Sequence, residues 1–286
     1  MKQMKITTCA LSLLMGLLAV GCTNKEIPEE VSAPLASIEE PTQIPEELPA
    51  EQPQEEPHAE LPQTEEPEEP TVPTQAEVKA QYLRVTGESV NLRSGAGTGY
   101  EILGKAEKNT LFAYMGEKSG WYETYCRGRK AYISKQYVTV YETEKADEDT
   151  ENVIAEGMKL LGVPYVYGAV RLHDGAGNFL KGFTKEKFDC SSLMQYIFYY
   201  GKGALLSLTT RTQVSQGRAV SDSAMKRGDL LFFTNASRKN NTGIERVGHV
   251  ALYLGDGYIL HTASDYAKVE KMSATRRSYF ICARRV

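Results

Sequence analysis

The chemistry this sequence could perform converges on one thiol. Cys190 opens the run FDCSSLMQYIFYYG, Phe188 to Gly201, where Leu193, Met194, Ile197 and Tyr200 recur at helical spacing and Gly201 offers a stop. Asp189 is a good N-cap and places Cys190 in the first turn, where unpaired amides and the positive end of the helix dipole favour the thiolate, the attacking form. A buried structural cysteine is the commoner fate of the residue and is the reading for Cys126 and Cys282. At Cys190 the polar neighbours Asp189, Ser191 and Ser192 speak against it.

A thiol nucleophile needs a base, and the chain has four histidines. His58 falls in a Pro/Glu tract and His173 in a long loop, which leaves His249, at the head of HVALYLG, and His261, inside YILHTA. The tight Asp256-Gly257 turn joins these two apolar runs, so both imidazoles can project toward a common edge. A zinc site built from Cys190, His249 and His261 is chemically possible, but their scattered spacing gives it no support.

The elements that must hold these residues divide the chain unevenly. The first 22 residues carry two lysines, an apolar run of about fifteen residues and small residues ending at Cys22, a secretory signal too short for a comfortable membrane span. Eleven of the twelve prolines fall between Pro28 and Pro73, in a tract so rich in glutamate that it buries too little apolar surface to fold. In a polyproline geometry of about 3.1 Å per residue, its roughly fifty residues reach on the order of 150 Å. The whole-chain charge is −4, and setting the signal and the stalk aside leaves a basic remainder of about +8 on residues 76–286. A basic exported domain suits an anionic substrate such as cell wall. The odd, widely spaced cysteines form neither a disulfide framework nor a CxxC metal pattern.

Between residues 80 and 142, YLRVT, SVNLRS, EILGKA, TLFAYMG, WYETYC, KAYIS and YVTVY recur about every ten residues, which predicts a small all-β barrel or sandwich. The glycines of RSGAGTGY invite a phosphate-loop reading, but neither a helix pattern nor a GKS/T sequence follows. After a charged joint, Asp149 or Thr150 can cap a helix running to Leu161, with Gly162 as its stop. A Gly/Lys loop spans about 170–187. GDLLFFT, HVALYLG, YILHTA and YFICARRV then read as consecutive strands of one antiparallel sheet. Helices first and strands after is an α+β arrangement.

Three resemblances extend this reading. Ala19-Val20-Gly21-Cys22 resembles the lipobox of bacterial lipoproteins, with Ala19 where leucine is usual, and implies lipidation at Cys22 and a chain tethered to the outer face of the cell membrane. NLRSGAGTGYEILGKAEKNT, Gly120-Trp121-Tyr122 and KAYISKQYV resemble the bacterial SH3-like domain, which implies wall or peptide recognition. FDCSSLMQYIF, VGHVALYLGDGYILHTAS and GVPYVYGA, over about Glu151 to Val286, resemble the NlpC-type papain-like cysteine peptidases of bacterial cell walls. The expected organisation is a signal at 1–21, a linker at 22–78, the SH3-like domain at 79–142 and the peptidase domain at 150–286.

By position, the peptidase resemblance implies Cys190 as nucleophile, His249 as base, His261 as the residue that orients it and Tyr165 as an oxyanion partner. Asp189 and Ser191 match positions that bind the free amine of an N-terminal L-alanine, and Arg211 matches a recurrent arginine. The implied reaction is hydrolysis of the γ-D-glutamyl–diamino acid bond of a murein stem peptide, with selection for a free N-terminal L-alanine, no metal or organic cofactor, no nucleic-acid partner and a monomeric chain. An N-acetylmuramoyl-L-alanine amidase, an acyltransferase and an inactive wall-binding lipoprotein are the alternatives. Tyr167-Gly168-Ala169 stands where the family has Trp-Gly-Gly, Ser192 where it has glycine, and the loop before Cys190 is longer than usual.

Overall fold

The computed structural model describes residues 79–286. The expected signal, Cys22 and the Pro/Glu linker with His58 lie outside the described residues.

Eight strands come first: β1 (Lys79–Val85), β2 (Ser89–Arg93), β3 (Ile102–Glu107), β4 (Leu111–Ala113), β5 (Glu117–Lys118), β6 (Trp121–Cys126), β7 (Arg129–Ser134) and β8 (Val138–Glu144). They form two antiparallel sheets, β4-β1-β8 and β3-β2-β7-β6-β5, closed around Leu83, Val85, Leu92, Leu111 and Ile133. All seven expected strands are present, and the two-residue β5 is additional.

α1 (Glu148–Lys159) and α2 (Cys190–Lys202) follow, then the short α3 (Thr210–Gln213) and β9 (Arg218–Val220). The chain continues through β10 (Leu230–Phe233), β11 (His249–Gly255), β12 (Tyr258–Ala263), β13 (Tyr266–Lys271), α4 (Ala274–Ser278) and β14 (Phe280–Arg285). One sheet holds the last six strands in the order β13-β12-β11-β10-β14-β9. The four expected strands are there, but not consecutively. β13 adds an edge outside β12, and the chain crosses back through α4 so that β14 lies between β10 and β9. β13 alternates but is rich in charge, and β9 has three residues, so neither reads as a strand by composition.

The helix boundaries move for identifiable reasons. Asp147, not Asp149 or Thr150, caps α1, its carboxylate accepting from Thr150 N at 2.9 Å, and the helix ends at Lys159 rather than Leu161. Gly201 does not end α2. A Cβ there would stand 2.5 Å from Val153 Cα, so the glycine lets α1 and α2 approach, and Gly203, at φ +69°, terminates the helix. Tyr200 is 52% exposed, and Tyr196 joins Leu193, Met194, Ile197 and Phe198 in the core instead. Each such side chain contributes about 1.5–3 kcal/mol by leaving water.

α2 packs across β11 and β12, which brings the start of the helix against the start of β11. Polar ties join the two β-rich halves. Arg227 donates to Glu151 at 2.7 and 2.9 Å and to the Tyr82 hydroxyl, and the Tyr266 hydroxyl donates to Glu107 at 2.9 Å.

Candidate active site

Asp189 builds the entry to α2. Its carboxylate accepts from Ser192 N at 2.8 Å while Ser192 Oγ accepts from Asp189 N at 2.9 Å, a reciprocal capping box that occupies two amides of the first turn. Ser192, fully buried, thus has a structural use that glycine cannot supply. Gln213 of α3 ties down the same turn by donating to Ser191 O at 3.0 Å.

Cys190 is the first residue of α2. Burial of its sulfur and the adjacent Asp189 charge push the thiol up to about 11, although the backbone N–H groups of Val250 and Ser191 and the charge of Arg171 favour the anion. This is opposite to the direction expected from the helix dipole, because desolvation of the sulfur outweighs it. The resting group is a thiol lying against Val250, next in sequence to His249. Cys190 and His249 make no hydrogen bond here, and catalytic pairs are often long before substrate arrives.

The histidines are held by strand register. Tyr253 pairs with Ile259 across β11 and β12, which sets His249 and His261 diagonally, on alternate positions of neighbouring strands. His249 Nε2 and His261 Nδ1 are 3.0 Å apart. His261 pairs with Lys268 and Ile259 with Glu270, so the next diagonal brings His261 Nε2 to 3.1 Å from Glu270 Oε1. The row runs His249, His261, Glu270 across three strands.

Burial holds His249 well below the ordinary histidine value, and the neighbouring His261 and Arg276 push the same way. His261 is lowered too, chiefly by burial and against the pull of Glu270, while the hydrogen bond from His261 holds Glu270 below the usual carboxylate range. The row is therefore two neutral imidazoles ending on a carboxylate. An ionised Glu270 only accepts, so His261 carries its proton on Nε2 and offers Nδ1 to His249 Nε2–H. His249 Nδ1 is left with a free lone pair, the electronic state of a general base.

Tyr165 lies beside this cluster. A parallel bridge pairs it with Phe188, and burial together with Cys190 and Asp189 raises its hydroxyl. Arg211 is elsewhere, its Nε 3.5 Å from Glu245 on the second long loop. His173 is structural: it is fully buried, its Nδ1 accepts from Gly175 N at 3.0 Å, and its backbone is tied to Gln195. Among the described residues no cluster of His, Cys, Asp and Glu is arranged to hold a metal ion. The largest cavity described, about 790 Å³ around Asp147, Lys202, Arg227 and Arg285, shares no residue with the cluster.

A buried thiol at a helix start is set against a strand that opens with a histidine. Residues 162–285 match the NlpC/P60 family and residues 88–139 match the bacterial SH3 domain. The chain carries an NlpC/P60 domain.

Among its relatives are the peptidoglycan endopeptidase RipA of Mycolicibacterium smegmatis, 36% identical over 132 residues (46% of this chain and 24% of that protein), and the γ-D-glutamyl-L-lysine dipeptidyl-peptidase of Bacillus subtilis, 31% identical over 129 residues (45% and 37%). The chain thus spans about a quarter to two fifths of the length of these relatives. An NlpC/P60 family protein from Bacillus cereus aligns in structure with 23% identity over 72% of this chain and 63% of that one, at a TM-score of 0.39.

Two residues of this cluster went unnoticed in the sequence. Glu270 lies in a strand whose alternation, Ala267 and Val269 inward with Lys268 and Glu270 between, was the available signal. Arg171 lies in the long loop and donates to Asp189 Oδ2 at 2.8 Å, which no local pattern announces.

Proposed function

We propose that this chain is a peptidoglycan hydrolase that cuts the γ-D-glutamyl–diamino acid amide bond of murein stem peptides through Cys190, from an extracytoplasmic position tethered by a lipid on Cys22. The observation that carries the reading is the hydrogen-bonded row His249–His261–Glu270, which starts at the residue before Val250, whose backbone N–H meets the Cys190 thiol. His249 removes the thiol proton as sulfur attacks the carbonyl carbon, and the oxyanion forms beside the amides of the α2 start and the Tyr165 hydroxyl. The imidazolium then protonates the leaving amine of the diamino acid. Water, deprotonated by His249, attacks the thioester and releases the glutamyl carboxylate and the thiol. His261 and Glu270 are positioning residues: His261 keeps the His249 tautomer fixed, and the Glu270 charge behind it favours the imidazolium that forms. The chemistry calls on no metal or organic cofactor. The names of the two relatives support peptide rather than glycan cleavage.

Mass analysis of a defined L-Ala-γ-D-Glu-diamino acid peptide, still joined to a muramoyl sugar or free, tests the reading. Release of the diamino acid by the parent and none by Cys190→Ala is the expected result. Release of the intact peptide from the sugar would assign the protein as an amidase, and no products from either form would overturn the hydrolase reading.

A further inference from the structure

The resemblance assigns Asp189 and Ser191 to the recognition of an ammonium, and the structure fills that position with a different cation. Asp189 is 3% exposed, and four donors share its carboxylate. Ser192 N and Ser191 Oγ reach Oδ1 at 2.8 and 3.0 Å, and Gly168 N and Arg171 reach Oδ2 at 3.2 and 2.8 Å. Ser191 is spent as well, because its hydroxyl donates to Asp189 and accepts from Arg171 at 3.2 Å.

Arg171 is fixed at all three guanidinium nitrogens. Besides the contacts to Asp189 and Ser191, Nε donates to Leu208 O at 2.9 Å and Nη1 to Ala169 O at 2.7 Å. Its side chain is 19% exposed. Swinging it aside to free Asp189 would break every one of these contacts at once. The loop that carries it is braced independently, by Asp174 accepting from Ala176 N at 2.8 Å and by Phe183 stacked on Tyr196 with centroids 5.9 Å apart.

A carboxylate already paired with a guanidinium offers an incoming ammonium no net charge and no free lone pair, and the two cations would stand in contact. A neutral amide meets no such repulsion, and its carbonyl can accept from a cationic edge. We infer that Arg171 closes this subsite to a free amine and makes the protein selective for N-acylated stem peptides, those whose alanine nitrogen is still an amide as in peptide joined to its glycan. This rests on the stem-peptide reading above and decides which form of that substrate is taken.

The test measures binding, so that it does not depend on turnover. The full-length chain carrying Cys190→Ala is titrated calorimetrically with L-Ala-γ-D-Glu-diamino acid tripeptide and with its N-acetyl form, the diamino acid being lysine or meso-diaminopimelate, whichever the parent cleaves. The acetylated peptide is expected to bind at least tenfold tighter at pH 6.5. The free peptide's α-amine loses its proton near pH 8. Between pH 6.5 and 9.5 its affinity should therefore rise by up to about thirtyfold while that of the acetylated peptide stays flat.

The charged or titratable groups around the subsite are Asp189, Arg171, Tyr165, Tyr167 and Cys190. The last is absent from the variant, burial raises Tyr165, and burial holds His249 and His261 below the ordinary histidine value, so neither gains charge as the pH rises. Arg171→Met removes the cation and should reverse both the preference and the pH slope, whereas Arg171→Lys should keep the parent's. Tighter binding of the free tripeptide at pH 6.5, weakening as the pH rises, would overturn the inference. Failure of Cys190-intact protein to cleave either peptide would instead sink the hydrolase reading, and the ranking of the two ligands would still decide this one.

Discussion

Glu270 offers the sharpest test of the proposed mechanism, because it touches neither substrate nor thiol. Its carboxylate accepts from His261 at 3.1 Å, and His261 sits 3.0 Å from His249, so the charge lies on the order of 8 Å from the imidazolium that forms during attack. At an effective dielectric near 20, two unit charges at that distance interact by about 2 kcal/mol. Lys268, 3.9 Å away, and the partial exposure of Glu270 reduce this to about 1–2 kcal/mol, or roughly five- to thirtyfold in rate. Glu270→Gln keeps an acceptor oxygen for His261 and loses only the charge, so kcat should fall within that range with KM unchanged. Glu270→Leu also releases the His261 tautomer, and a His249 proton on the wrong nitrogen removes the base. Its kcat should fall by a further tenfold or more. The assay is steady-state cleavage of the stem peptide, with thermal melting of both variants to separate misfolding from chemistry. Equal activity of the Gln and Leu variants, or a loss confined to KM, would refute the relay.

The same electrostatics set the pH response. Because burial lowers His249, the acid limb of kcat/KM should lie below pH 6.5. Because Cys190 is raised to about 11, its alkylation by iodoacetamide in resting protein should climb toward that pH, and a midpoint under pH 8 would contradict the neutral pair. Stability should follow the histidines as well: the unfolded chain takes up protons near pH 6.5 and the buried imidazoles only at lower pH, so the melting temperature should fall as pH drops below about 6.5. Ser192→Gly opens the capping box and should cost about 1–2 kcal/mol, a drop of several degrees by calorimetry. An exposed helical glycine replaced by alanine gains up to about 1 kcal/mol, but Gly201→Ala presses a methyl onto Val153 backbone, and denaturant unfolding should show a net loss of about 1–2 kcal/mol.

What was legible beforehand follows the range of the interaction. Cys190 at a helix start and two histidines on joined strands are local facts, carried by an N-cap, an apolar run and a tight turn. Asp256 and Gly257 do take the positive φ values, 51° and 78°, that such a turn needs. Glu270 and Arg171 depend on register and on where a long loop is pinned, and both are set by contacts distant in sequence. Gly201 shows the limit within one element. Its composition signal, a helix stop, is the same whether the glycine ends a helix or admits a neighbouring one, and only Val153 decides between the two.

The junction of the two β-rich halves bears on the site directly. Arg127 and Gly128, at φ 52° and 73°, form the tip of the β6–β7 hairpin, and their amides donate to Leu161 O and Lys159 O at 2.8 Å each. These are carbonyls at and just beyond the end of α1, which a helix leaves without internal partners, so the SH3-like half caps a helix of the NlpC/P60 half. Arg127 Nε adds a bond to Gly162 O at 3.0 Å. From there the chain runs along β13, with Gly162 N donating to Ala267 O at 2.7 Å and Tyr165 N to Asp265 O at 2.9 Å, and arrives at the tyrosine beside Cys190. The hairpin therefore braces the segment that positions Tyr165. Deleting the SH3-like half would strip the α1 end of its partners and loosen that segment, so lost activity in such a truncation would report a disturbed site before it reported on any ligand of that half.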